Sequence, residues 1–122
     1  MQLAVEERGD VSVIRVGEVK LTYPVLAGFF AEIRRVVDAG GHELVIDLSA
    51  VSYIDSASIG CLMDIHRLVR EIAGSVRLCG LQPRVETMLS MTGVHKILEI
   101  HRSEADALQA LGVHRGRGRG DA

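Results

Sequence analysis

Three small polar residues stand together before a predicted helix: Asp55, Ser56 and Ser58, in the stretch VSYIDSASIG. Residues of these types at one junction are typical of a helix cap, of a hydrolase nucleophile, or of a site that receives a phosphate. The nucleophile elbow of hydrolases has the pattern G-x-S-x-G, and IDSASIG lacks the first glycine. His66 lies ten residues after Ser56, which is about 15 Å along one helix and too far to activate that hydroxyl. The residues therefore give nucleophilic catalysis little support.

Other catalytic and metal-binding patterns find no better support. Asp47 and Asp55 could be imagined as an acid–base pair, but each lies at a strand end or before a helix, where carboxylates usually bind backbone amides. The sequence has no phosphate loop and no dinucleotide fingerprint. Two cysteines without CxxC spacing predict buried thiols. The histidines lack zinc-site spacing: His42, His66, His95, His101 and His114. We therefore expect no enzyme, no metal and no cofactor.

Composition and charge favour an ordinary globular domain. The 122 residues are 48% hydrophobic and 25% charged, enough for one core without disulfides. A net charge of −2 gives no electrostatic footprint for nucleic acid. With a charged residue by Glu6 and no run of about 18 apolar residues, we expect neither a secretory signal nor a membrane span, and a cytoplasmic location. The Gly/Arg-rich tail, residues 113–122, is predicted to be disordered.

Strands and helices alternate along the chain. Apolar residues at spacings of three and four, bounded by Pro, Gly or Ser, predict four helices: PVLAGFFAEIRRVVDAGG, SASIGCLMDIHRLVREIAG, QPRVETMLSMTG and SEADALQALG. Short apolar or β-branched runs predict five strands: LAVEE, VSVIRVG, ELVIDLS, SVRLCG and ILEI. The first two strands flank the turn RGD as a hairpin. This alternation predicts an α/β fold with a mostly parallel sheet.

The predicted helix start after Asp55 is suited to an anion. Ser56, Ala57 and Ser58 are small, so the first helical amides are expected to point outward without intrahelical partners. A phosphate on Ser56 would add a charge of about −1.5 to −2. The helix N-terminus would stabilise that charge by about 0.3–1 kcal/mol. A partner docked beside Asp55 would then meet a doubly charged group. From the residues alone, a Ser56 that merely caps the helix remains the favoured interpretation.

The stretch ELVIDLSAVSYIDSASIGCLMDIHRLVR resembles the signature of the STAS family, the sulfate transporter and anti-sigma-factor antagonist domain. Its usual form is D-L-S/G-x-V-x-F/Y-[IM]-D-S-S/T-G-L-G, and the similarity covers roughly residues 3–111. This resemblance implies a STAS domain over residues 1–112. The implied fold is a small mixed, mostly parallel sheet of four to five strands with an N-terminal edge strand and about four helices packed mainly on one face.

The stand-alone bacterial members of this family that the chain resembles are anti-sigma-factor antagonists. They bind a serine-kinase-type anti-sigma factor, free the sigma factor, and are released when the kinase phosphorylates the serine after the motif's aspartate. That serine is Ser56 here, and a protein phosphatase would restore the free form. We expect a monomer or weak dimer. The resemblance implies these contact residues: Tyr53, Asp55, Ser56, Ala57, Ser58, Ile59 and Met63.

Three positions depart from the family pattern. Ala57 and Ser58 stand where the family usually has Ser or Thr and then Gly, and Ser58 offers a second, less favoured hydroxyl for modification. Lys20 stands where the family often has an acidic residue, which reverses the charge there. An alternative function therefore stays open: a STAS scaffold or sensor-associated module that binds partners without a switch at Ser56.

Overall fold

The computed structural model of the chain describes residues 1–113. The strands are β1 (Leu3–Arg8), β2 (Val11–Val16), β3 (Lys20–Leu21), β4 (Glu43–Asp47), β5 (Tyr53–Ile54), β6 (Ser75–Cys79) and β7 (Glu99–His101). The helices are α1 (Tyr23–Asp38), α2 (Ser56–Arg70), α3 (Pro83–Thr92) and α4 (Glu104–Ala110), with a 3₁₀ turn at Val94–Lys96. The helix starts at Ser56, Pro83 and the N-cap Ser103 are confirmed.

Five strands form one sheet in the order β1-β2-β4-β6-β7. β1 runs antiparallel to β2 at the edge, and the other pairs are parallel. The hairpin between β1 and β2 turns at Gly9, whose φ of +63° is easily adopted by glycine. The predicted mixed, mostly parallel sheet with an N-terminal edge strand is confirmed.

The two faces of the sheet are covered unequally. Alternate residues of the strands point to opposite faces, so that one face packs against α1, α2 and α3 and the other against α4. The larger core joins Ile14, Leu44, Ile46, Phe29, Ile33, Leu62, Ile65, Val85 and Leu89. The smaller one joins Val11, Val13, Val45, Cys79, Ala107 and Leu108. Packing of the helices mainly on one face is therefore confirmed.

An ion-pair network holds α4 to the edge of the sheet. The guanidinium of Arg15 on β2 donates to both carboxylate oxygens of Glu104, at 2.9 and 2.8 Å. It also lies 2.8 Å from a carboxylate oxygen of Glu6. These hydrogen bonds, to Glu104 first and Glu6 second, raise the pKa of Arg15. The network ties the first turn of α4 to β1 and β2.

Among the predicted element boundaries that differ from the structure, two are explained by backbone hydrogen bonds. The second helix ends at Arg70 rather than near Gly74, because residues 71–73 turn and the amide of Gly74 bonds back to the carbonyl of Val69 at 2.7 Å. Ile72, which lies within the predicted second helix, is outside α2 and is exposed. The last strand begins at Glu99 instead of Ile97, because the amides of Ile97 and Leu98 bond to the carbonyl of Val94 in the 3₁₀ turn.

The C-terminal boundary of the folded part lies close to the predicted one. Val113, which the prediction assigns to the tail, packs against the smaller core, and its amide bonds to the carbonyl of Leu108 at 2.8 Å. The remaining predicted tail, residues 114–122, lies outside the described residues. No helix within residues 1–113 has the length and apolar character needed to cross a membrane.

The two cysteine thiols are buried and unpaired, as predicted. Burial raises the pKa of the Cys61 thiol to about 11 and that of Cys79 to about 12, with smaller contributions from nearby carboxylates. Both therefore stay protonated at neutral pH and serve as small apolar side chains.

Candidate functional site

One carboxylate joins the starts of two helices. Asp55 is the N-cap of α2, and its Oδ1 accepts a hydrogen bond from the amide of Ser58 at 2.9 Å. Its Oδ2 accepts one from the amide of Tyr23 at 3.0 Å, at the first residue of α1. Thr22, the N-cap of α1, makes no side-chain cap bond of its own. Asp55 therefore satisfies orphan amides of both helices and brings their N-termini to one corner.

The same hydrogen bonds shift the ionisation of Asp55. Burial opposes ionisation, but the amides of Tyr23 and Ser58 together hold the pKa of Asp55 below its ordinary value. The side chain is therefore a carboxylate at neutral pH. Its role is that of a structural anion between two helix ends.

Ser58 completes a capping box with Asp55. The amide of Asp55 donates to the Ser58 hydroxyl at 3.0 Å, and that hydroxyl donates to the carbonyl of Asp55 at 2.7 Å. Ser58 is fully buried. Its hydroxyl is thus engaged in the helix cap and inaccessible to solvent. This geometry disfavours modification at Ser58, which was the less favoured prediction.

Ser56 is left free by this arrangement. It is the first residue of α2 and is exposed. The interpretation of Ser56 as the cap itself is wrong, because Asp55 and Ser58 make the capping bonds. The amides of Ser56 and Ala57 lie in the first turn, where a helix has no intrahelical acceptors for them. Ser56 is thus an exposed residue at the positive end of the helix.

A two-stranded sheet, which the sequence analysis did not predict, lies next to the start of α2. β3 and β5 pair in parallel, with Lys20 opposite Tyr53 and Leu21 opposite Ile54. The amide of Ser52 adds a bond to the carbonyl of Val19 at 2.8 Å. The pairing carries the loop after β2 to the helix start. Two residues per strand are too few for a periodicity to be recognised.

Next to this sheet lie exposed apolar side chains that the sequence analysis did not select. Val19 is 61% exposed and Tyr23 is 74% exposed, while Tyr53, which was predicted, is 36% exposed. Arg84, in the first turn of α3, lies over the ring of Tyr53 at 5.4 Å from the centroid. The only sequence signal for Val19 and Tyr23 was an apolar side chain outside every predicted element.

The predicted contact residues do not all share this corner equally. Tyr53, Asp55, Ser56 and Ala57 meet at the start of α2. Ile59 and Met63 are half-buried and pack against the larger core. A groove of about 550 Å³ runs between α1 and α2, lined by Tyr23, Pro24, Ala27, Phe30, Ala57 and Gly60 among others.

The residues considered for catalysis lie apart from the corner or are occupied. His66 sits on α2 ten residues from Ser56, and burial together with Arg70 and Arg67 lowers its pKa. Asp47 accepts a bond from the amide of Ser49 at 2.9 Å, as expected for a loop carboxylate. Within the described part of the chain, no group of three His, Cys, Asp or Glu side chains could hold a metal ion.

Comparison with known proteins yields one family and several relatives. The family model described as "STAS domain" matches residues 2–107. An anti-sigma F factor antagonist of Paenibacillus polymyxa is 30% identical over 70 residues, which are 57% of this chain and 60% of that protein. The chain thus spans less than two thirds of that relative's length.

Several solved structures share the fold. An anti-sigma factor antagonist from Mycobacterium paratuberculosis superposes with a TM-score of 0.82 and 25% identity, covering 91% of this chain and 93% of that one. The Bacillus cell fate determinant SpoIIAA in its phosphorylated form superposes with a TM-score of 0.69 and 18% identity, covering 90% and 99%. At that identity the second likeness concerns the fold alone.

Proposed function

Because this chain belongs to the STAS domain family, we propose that it is an anti-sigma-factor antagonist in a partner-switching circuit. Unphosphorylated, it binds a serine-kinase-type anti-sigma factor and so frees the sigma factor. Phosphorylation of Ser56 by that kinase releases the chain, and a protein phosphatase restores the binding form. The role of the Paenibacillus relative as an anti-sigma F factor antagonist supports the proposal.

The observation that carries this proposal is the division of labour at the start of α2. Asp55 and Ser58 make the cap, so the neighbouring Ser56 is exposed and has no structural task. A phosphate on Ser56 would sit at the positive end of the helix, where its negative charge is stabilised by about 0.3–1 kcal/mol. The domain would therefore accept the modification without unfolding.

The release step follows from charge at a desolvated surface. We place the partner on the corner formed by Tyr53, Asp55, Ser56 and Ala57, with Ile59 and Met63 behind it. A phosphate there adds about −1.5 to −2 charges next to the Asp55 carboxylate. Like charges brought together at an interface cost several kcal/mol, enough to dissociate a modest complex. In this proposal the chain is a cytoplasmic regulatory protein without catalysis of its own, a monomer or weak dimer.

Phosphopeptide mass spectrometry tests the modification. The probe is the ATPase-type serine kinase encoded nearest to this chain in its genome, incubated with the chain and ATP. We expect one phosphate on Ser56 and none on Ser58, whose hydroxyl is buried in the capping box. Ser56→Ala should abolish labelling, and Ser90→Ala, which removes an exposed serine of α3, should not. An unmodified Ser56 in a chain that still binds the kinase would favour the unswitched STAS scaffold.

Calorimetry with the same kinase tests the release. Ser56→Asp should weaken binding by about tenfold or more through like-charge repulsion, and Ser56→Ala should bind as tightly as the wild type. Ser90→Asp is the matched control, since it adds the same charge to an exposed serine elsewhere. Circular dichroism should be the same for all variants. Equal affinities of Ser56→Asp and Ser56→Ala would refute release by charge.

A further inference from the structure

Lys20 and Tyr53 lie side by side on the outer face of the β3–β5 sheet. They are direct partners in the parallel register, and the next pair, Leu21 and Ile54, is fully buried on the inner face. Because successive side chains of a strand point to opposite faces, Lys20 and Tyr53 project outward together, on strands about 4.8 Å apart. A lysine is thereby placed next to the tyrosine that precedes Ser56 by three residues.

Arg84 approaches the same tyrosine from another element. Its guanidinium carbon is 5.4 Å from the ring centroid of Tyr53, within the distance of about 6 Å at which a cation is attracted to an aromatic face. Arg84 is exposed in the first turn of α3. The start of α3 is held in place by Gln82, whose side-chain amide donates to the carbonyl of Ser49 at 2.8 Å. Arg84 therefore contacts the ring of Tyr53 from α3, and Lys20 is the strand partner of the same tyrosine.

The carboxylates nearest in sequence already have partners within the chain. Asp55 accepts bonds from two backbone amides, and the Glu18 carboxylate accepts a bond from the amide of Gln2 at 2.6 Å. Across residues 1–113, no carboxylate oxygen lies within 4.0 Å of the charged nitrogens of Lys20 or Arg84. Lys20 and Arg84 are therefore not neutralised by a direct carboxylate contact within residues 1–113, and both cations can pair with an acidic group of another molecule.

We propose that Lys20, Tyr53 and Arg84, here called the cationic cluster, recognise carboxylate side chains on the anti-sigma factor. Val19 and Tyr23, exposed just before β3 and at the start of α1, supply apolar contact beside it. This inference rests on the proposed function and names the chemistry of its partner: an acidic docking surface. It also gives the switch a second contribution, because a phosphate on Ser56 would repel those carboxylates.

Charge reversal tests the cluster against the same serine kinase, by calorimetry at about 50 and about 300 mM NaCl. We expect Lys20→Glu and Arg84→Glu each to weaken binding by about tenfold or more. Lys20→Met and Arg84→Met, which remove the charge without reversing it, should weaken binding less. The matched control is Lys96→Glu, at an exposed lysine of the 3₁₀ turn, and it should change affinity by less than about twofold. Wild-type affinity should fall at the higher salt concentration, and that dependence should be smaller for Lys20→Glu.

The outcomes separate this inference from the function on which it rests. If the wild type binds and both reversal variants bind equally well or more tightly, the partner surface is not acidic and the inference is overturned. If the wild type itself does not bind the kinase, the proposed function fails instead. Lys20 and Arg84 are both on the surface, so we expect their variants to stay folded. Thermal melts of all variants check this expectation.

Discussion

At the scale of single residues, the geometry of the corner depends on Asp55. Its side chain reaches the amide of Tyr23, 32 residues earlier in the chain, as well as that of Ser58. Because Thr22 offers α1 no cap of its own, losing the carboxylate would leave orphan amides at two helix starts. Ser56 needs no capping role and stays exposed because Asp55 and Ser58 make the capping bonds.

Replacing Asp55 should therefore cost stability in a manner that depends on pH. The pKa of Asp55 is depressed in the folded chain, so its contribution is complete above the unfolded pKa of about 3.9 and is lost as the pH falls through the folded pKa. We expect Asp55→Ala to lower the free energy of unfolding by about 1–2 kcal/mol at neutral pH. The gap to wild type should narrow on acidification from about pH 5 to about pH 2.

Urea denaturation at a series of pH values measures this gap. The matched control is Asp64→Ala on α2, whose exposed carboxylate pairs with Arg67 one turn away. That change should cost less than about 0.5 kcal/mol. A cost of Asp55→Ala that stays constant down to about pH 2 would contradict the role of the ionised carboxylate.

At the scale of elements, short pairings place the long helices. β3 and β5 hold only two residues each, yet they bring the segment before α1 to the start of α2. At the other end of α2, the chain turns through residues 71–73 and enters β6, where the amide of Ser75 bonds to the carbonyl of His42 at 2.9 Å. A β-carbon at Gly74 would meet that same carbonyl oxygen well inside contact distance. This turn therefore requires a glycine.

Gly74→Ala should destabilise the chain by about 1–3 kcal/mol, since backbone rather than a movable side chain stands in the way. Gly60→Ala is the matched control, because a β-carbon at that helical position meets nothing within 4 Å. It should be neutral or stabilise by about 0.5–1 kcal/mol. Thermal melts of the two variants compare them directly, and equal melting temperatures would refute the close approach at Gly74.

At the scale of the whole molecule, the sheet separates two hydrophobic cores, and only the larger one lies under the helices whose starts form the corner. Three helices cover the face whose helix starts form the corner, whereas α4 covers the opposite face through Ala107 and Leu108. The ion pair between Arg15 and Glu104 adds to this second layer. Stability and partner binding should therefore be separable by mutation.

Leu108→Ala tests this separation. Leu108 is 2% exposed, and truncating a buried leucine costs about 2–5 kcal/mol. We expect that loss in urea unfolding, together with unchanged affinity for the serine kinase under conditions where the variant stays folded. Gln109→Ala, at an exposed position of the same helix, should alter neither quantity. A parallel loss of affinity in the folded Leu108→Ala variant would show that α4 shapes the binding corner.

The sequence by itself determined the order of the larger elements and the place of the corner. Apolar periodicity, Pro83 and Ser103 act over one helical turn or between alternate residues, and such local signals are readable in one dimension. They placed Ser56 at a helix start, which the structure confirms. The motif around Ser56 also indicated the STAS family, to which the chain belongs.

Only the tertiary structure decided which hydroxyl is free and which charges face outward. The bond from Tyr23 to Asp55 spans 32 residues, and Arg84 meets a ring, that of Tyr53, from another element. Both contacts exist because the helices pack on a common sheet. A local sequence pattern cannot predict contacts between residues so far apart in the chain. The burial of Ser58 has the same origin. Packing thus joined Asp55 to the start of α1, buried Ser58 and left Ser56 exposed.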